Sequence, residues 1–290
     1  MPIFEQSYRS YEGMFRRRFR WVIVLEQELR VLLKSKVMLV LLLAGLLHVF
    51  VRVLQIVAYD VISQDPNNPL TPWLQQFQAI VVNERMFYDF VRLQAPLVFV
   101  VSLFAGAGMI CNDFTNNLME VYFSKPLSWK DYVLGKVMSI VVLGLALTAL
   151  PAVFFAVLHN MLMPGMETLS VSWWWPLASI GYSLAIVLPA ALAILASSAV
   201  LHSQNYAAIA IFMVLTANHI FGGLLAEFLR NQRLNIISFP LAQNRVGQHL
   251  FGVRPGFDLA WGWSLGFIGV VCVISLLIIM VRVRRAEIAA

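Results

Sequence analysis

The apolar residues of this chain fall in long blocks. Six runs reach the ~20 residues that a helix needs to cross the hydrocarbon of a bilayer: 37–59, 90–111, 133–158, 176–201, 205–228 and 261–282. Ahead of the first run the pattern changes. In WVIVLEQELRVLLKSK, Trp21, Leu25, Leu29 and Leu32 recur at i, i+4, i+8 and i+11, with Glu26, Gln27, Arg30 and Lys34 on the other face. This predicts an amphipathic helix within a leader of residues 1–36, either lying along the membrane surface or packed on protein.

Three polar segments interrupt the remaining 37–290 region. In 60–89, DPNNPLTP is turn chemistry, and Thr71 before Pro72 marks a helix start. Trp73, Phe77, Ile80, Val81 and Phe87 then keep helical spacing into the second run. The segment 229–260 is broken by Pro240 and Gly247, which suits short helices or a re-entrant hairpin. In 112–132, Leu118, Val121 and Tyr122 recur at i, i+3 and i+4, predicting a short helix with Asn117, Glu120 and Ser124 on its polar side. Pro126 disfavours helical geometry at Lys125 and ends it. Ser128 followed by Asp131 is a capping box that opens the next helix, with Leu127 and Tyr132 placed as a hydrophobic staple.

Composition agrees with the pattern. The chain of 290 residues is 60% apolar and 12% charged, against about 45–50% and 25% in soluble domains. An all-α integral membrane protein with six transmembrane helices follows. Its 21 Lys and Arg residues set the orientation: eight precede the first run, three lie in 112–136 and three lie at the end of the chain (Arg282, Arg284 and Arg285). With those segments inside, both termini are cytoplasmic, and 60–89 and 229–260 are outer segments. Trp173, Trp174, Trp175, Trp261 and Trp263 then fall at the outer interface, where indole rings settle. The outer position of Arg230, Arg233, Arg245 and Arg254 runs against the rule. Without a soluble basic domain, nucleic acid is the weaker reading of the charge.

Candidate chemistry is sparse. Gly135-Lys136 is followed by Val137 and no phosphate-cradling loop precedes it, so ATP binding by this chain is not expected. No zinc-protease motif or nucleophile elbow occurs. Cys111 and Cys272 lie at different depths and have no metal spacing. His48, Arg52, His219 and Glu227 are ionisable residues in or near spans, candidates by default. Arg52 is placed to snorkel to the outer interface. His219, beside Asn218, reads either as lining a translocation path or as a satisfied buried histidine. Gly106, Gly108, Ala190, Ala193 and Ser197 permit close helix approach.

The string from Asp113 through Glu120, Ser124-Lys125-Pro126-Leu127-Ser128 and Tyr132 to Gly135-Lys136 resembles the cytosolic loop of type-2 ATP-binding-cassette (ABC) exporter permeases. Glu28-Leu29-Arg30 and Lys34-Ser35-Lys36 resemble that family's elbow helix. The chain departs from the family pattern with Asp113 at the acidic position and Asn116-Asn117 in place of Gly-Thr. The resemblance implies a short coupling helix docked on a separate cytosolic ATPase subunit. Asp113, Asn117, Leu118, Glu120, Tyr122, Lys125 and Pro126 would serve that contact, Asn117 and Glu120 facing the partner while Leu118 and Tyr122 pack. It also implies a non-catalytic chain with no cofactor of its own, ATP and Mg on the partner, and a second permease subunit, identical or related. The setting would be a plasma membrane, the inner one in a bacterium, and the few intramembrane charges suit a hydrophobic or amphipathic substrate. A membrane anchor or assembly module that docks a cytosolic partner, and an ion-coupled carrier, are the alternatives.

Overall fold

The computed structural model describes residues 19–64, 68–69, 80–125, 127–163 and 165–289. Arg16, Arg17, Arg18, Thr71, Pro72, Trp73, Phe77 and Pro126 lie outside them. Among the described residues the regular elements are all helical. The short helices at one end comprise α1 (Arg20–Leu32), α4 (Cys111–Thr115) and α5 (Leu118–Phe123). The long helices are α2 (Lys36–Ser63), α3 (Glu84–Gly106), α6 (Trp129–Leu147) with α7 (Ala149–Leu162), α9 (Trp175–Val200), α10 (Gln204–Phe228) and α12 (Trp261–Ala289). A short α8 (Met166–Ser172) precedes α9, and a 3-10 turn (Gln232–Ile237) leads into α11 (Phe239–Leu250). Among the described residues six helical stretches are long and apolar enough to span a bilayer.

Several boundaries depart from the apolar runs for local reasons. The second span begins at Glu84, where the Asn83 side chain accepts the Met86 N–H at 3.1 Å. That cap explains why 80–83 is not helical and why the expected continuous helix into the span is interrupted. The third span is broken at Thr148, with φ −118° and ψ −71°. Pro151 lies four residues after Leu147, has no N–H to give its carbonyl, and its ring opposes that carbonyl.

Helix α9 is the centre of the bundle. Its apolar window is 72% buried, against 11% for α2 and α10. Ala190, Ala191, Ala193, Ala196 and Ala199 are buried along it and let neighbours approach. Close approach recurs at Gly106 of α3, where a Cβ would lie 2.6 Å from Ile140 and 2.8 Å from Ile194. Pro189 inside α9 leaves the Ala185 carbonyl without its helical donor. Gln243 of α11 supplies one, its Nε2 donating to Ala185 O at 3.1 Å. The segment 229–260 therefore folds as short helices packed on α9 and α12.

Helix α1 packs along α6 through Val24, with Leu29 and Leu32 set against the same core. One side of the helix thus packs on protein, while Ile23 and Val31 on the other stay exposed.

Candidate functional site

The loop between the second and third spans is built on a break in the second span. Residues 107–110 form a turn between α3 and α4. The Ser198 hydroxyl of α9 accepts the N–H groups of Ile110 and Cys111, both at 3.1 Å, and so satisfies donors that the break frees. Between α4 and α5, Asn117 adopts φ 54° and ψ 28°. Asparagine enters that left-handed region more readily than most residues. Asn116 Nδ2 donates to Asn112 O at 2.9 Å, closing the end of α4.

Helix α5 turns a different side inward than its apolar periodicity suggests. Met119 is buried, and Tyr122 and Phe123 pack on the main core cluster. Leu118 and Val121 are 38% and 54% exposed. Leu118 thus belongs to the outward face with Asn117 and Glu120, contrary to the expectation that it packs. The cause is register: 119, 122 and 123 have the same i, i+3, i+4 spacing as 118, 121 and 122, and contact with Tyr132 selects the former. The Tyr122 and Phe123 rings lie 5.4 and 6.2 Å from the Tyr132 ring. Burial raises the Tyr122 phenol above its ordinary range, an effect the Lys136 charge opposes. Ser124 closes the helix by donating to Val121 O at 3.0 Å, and Lys125 is exposed.

The capping box at the start of α6 is complete. Ser128 Oγ accepts Asp131 N–H at 3.3 Å, and the Asp131 carboxylate accepts Ser128 N–H at 3.4 Å. Leu127 packs against the cluster that contains Tyr132. The half-buried Trp129 donates its N–H to Glu287 Oε1 at 3.1 Å, which ties the end of α12 to the start of α6. The Arg282 guanidinium of α12 lies 5.2 Å from the Phe114 ring of α4. The N-terminal helix, the loop and the C-terminal end therefore meet at one end of the bundle.

At their meeting point sits Lys136, 1% exposed. Its ammonium is 2.6 Å from Glu28 Oε1 of α1 and 2.6 Å from Asp113 Oδ2 of α4. It also donates to Met109 O at 3.0 Å, a carbonyl in the break of the second span. Tyr132 donates to Asp113 Oδ2 at 2.6 Å. An ammonium has three donors, and here each has a partner. Gly135 makes this approach feasible, since a Cβ there would lie 2.6 Å from Val24 Cβ and 2.8 Å from Trp21 O.

Glu28 and Asp113 thus share one cluster, whereas Arg30 makes only an exposed pair with Glu26 at 2.8 Å. Asn218 and His219 lie elsewhere. Asn218 donates to Ile237 O and accepts Phe239 N–H, both at 2.8 Å, and His219 Nδ1 lies 2.7 Å from Ser238 Oγ. They fasten the segment that follows α10 back onto that helix, and His219 also lines a cavity of about 400 Å³. Sequence places Lys136 and Tyr132 in the motif string but does not mark the lysine as the hub or the tyrosine hydroxyl as its neighbour. The available signal was a lysine inside an apolar run, which requires carboxylates from elsewhere. Among the described residues no three His, Cys, Asp or Glu side chains are grouped as a metal site needs.

The described residues form a polytopic helical bundle in which α5, between the second and third spans, is rooted in the core on one side and exposed on the other. Residues 22–256 match the family described as ABC-2 family transporter protein, and the chain belongs to that family as a multi-pass membrane permease. No curated protein matches the chain.

Proposed function

We propose that this chain is the permease subunit of an ATP-driven ABC exporter, powered by a separate cytosolic ATPase that docks on α5. Two permease subunits, identical or related, enclose the pathway, and the loop and both termini face the cytoplasm. The observation that carries this reading is the contrast within α5. One side is fixed through Tyr122 and Phe123 to the core beside the Lys136 cluster, while Asn117, Leu118, Glu120 and Val121 are presented outward. A surface of apolar side chains around a carboxylate suits a partner with an apolar cleft and a cation. The ATPase would alternate between states with different affinity for the two facings of the pathway, as any such switch requires.

Glu120→Lys is the test. Glu120 is exposed, and surface changes usually alter stability by no more than about 0.5 kcal/mol. At a docked interface, a reversed charge costs several-fold to a thousand-fold in affinity, on the order of 1–4 kcal/mol. The variant should insert and fold like wild type but lose co-purification with the ATPase subunit, or hydrolyse ATP without moving substrate. Normal docking and transport in both Glu120→Lys and a variant with residues 117–123 replaced by Gly and Ser would sink the proposal.

A further inference from the structure

The outer half of the groove between α2 and α3 carries charge that neither the bundle nor the loop uses. Arg52 of α2 and Arg85, Asp89 and Arg92 of α3 line a cleft of about 520 Å³. Three guanidinium groups there face one carboxylate. Asp89 makes a loose pair with Arg85 at 3.7 Å, and Arg52 donates to Gln55 Oε1 at 2.6 Å. Arg92 is exposed and has no hydrogen bond or ion pair with any described residue. Arg52 and Arg92 both belong to helices long and apolar enough to span the bilayer. Charge on such helices is costly and marks function by default.

Arg92 also lines the 400 Å³ cavity among α3, α9, α10 and α11, whose walls include Phe99, Ala190, Phe212 and Phe239. That volume lies within the roughly 300–1,000 Å³ of ligand pockets. One cationic side chain therefore stands between a charged cleft and an apolar chamber. A soluble anion would leave the chamber unfilled, and a neutral apolar molecule would leave the guanidinium groups without acceptors. Arg92 is eight residues beyond Glu84, about 12 Å along the helix axis, so a headgroup held there lies below the outer end of α3.

We propose that the cleft and the chamber form one binding site for an anionic amphiphile, its phosphate or carboxylate head on Arg52, Arg85 and Arg92 and its hydrocarbon chain in the chamber. This deepens the transport reading by giving the substrate its chemistry, and it rests on that reading only for the step from ligand to substrate.

The test uses the full chain in neutral detergent with three probes: palmitoyl-oleoyl phosphatidylglycerol, the phosphatidylcholine with the same chains, and chain-free glycerol 1-phosphate. Native mass spectrometry reads the bound lipid. The wild type should retain phosphatidylglycerol about tenfold over phosphatidylcholine. Arg92→Gln should bring the two close to parity, and Arg92→Lys, which keeps the charge, should preserve most of the preference. Glycerol 1-phosphate should not displace the bound lipid. Equal retention of the two lipids by the wild type overturns the proposal without reference to any variant. An unchanged preference in Arg92→Gln assigns it to other basic residues and overturns the site. Displacement by glycerol 1-phosphate makes this a soluble-anion site and overturns the role of the chamber. None of these readouts involves ATP or a second subunit. A chain that passes here and fails the Glu120→Lys test binds lipid without ATP coupling, and the converse result identifies a permease for a different substrate.

Discussion

Lys136 Nζ and Glu28 Oε1 lie 2.6 Å apart although 108 positions separate them in the chain. The pair joins the helix before the first span to the helix of the third, and Asp113 completes it from the loop between the second and third. Attraction in a buried ion pair offsets its desolvation only when the geometry is good and the remaining groups are bonded. Removing the lysine leaves two carboxylates facing each other.

Lys136→Met is therefore expected to destabilise the folded protein by about 3–5 kcal/mol, the range for an uncompensated buried charge. Thermal unfolding in detergent, followed by near-UV circular dichroism, measures it. The triple variant Glu28→Gln, Asp113→Asn, Lys136→Met should be more stable than Lys136→Met alone. If it is less stable, the carboxylates are not the source of the loss.

Gly135 and Gly262 make a matched pair. A Cβ at Gly135 meets Val24 and the Trp21 carbonyl, whereas one at Gly262 meets nothing within 4 Å. Gly135→Ala should cost about 1–3 kcal/mol as overpacking and move α1 away from α6, seen as a longer distance between spin labels at Gln27 and Leu134. Gly262→Ala should leave both stability and distance near wild type.

The outward face of α5 separates docking from folding. Leu118→Ser with Val121→Ser should change stability by no more than about 0.5 kcal/mol each while lowering ATPase co-purification. Met119→Ser, one residue away and 5% exposed, should instead lower folded yield. The reverse outcome would mean that the helix is rotated from the arrangement described.

Gln243 and Pro189 should be energetically coupled. Gln243→Leu leaves the Ala185 carbonyl without a donor and should cost about 1–3 kcal/mol. With Ala at 189 the helix supplies its own N–H, so the same change should cost less, by 0.5 kcal/mol or more on the scale at which coupled sites are recognised, about 0.5–3 kcal/mol. Additive costs in the double-mutant cycle would exclude the compensation.

Much of this architecture was legible in the sequence, because its signals are local. The six apolar runs correspond to six membrane-length helical stretches among the described residues, and Ser128 with Asp131 forms the capping box that their spacing implies. What was not legible depends on tertiary contact. A two-turn helix offers two apolar stripes of identical spacing, and contacts with other segments, the Tyr132 ring and α12 among them, decide between that of Leu118 and that of Met119. The break at Thr148 was obscured because Pro151 lies within an unbroken apolar run, whose hydropathy does not register a missing N–H. The partners of Lys136 come from two other segments, so no window of sequence contains them.

The Lys136 ammonium has no spare donor, and at 1% exposure no solvent stands ready to exchange with its partners. Such a joint does not slip by degrees. A push on the loop has two outcomes: α1 and the near half of α6 swing with it as a single lever, or the cluster ruptures and strands two carboxylates. One side chain is thus the fulcrum of this end of the molecule. The travel of the loop is then limited by how far α6 tilts about its break at Thr148, and not by the slackness of the chain between α3 and α6.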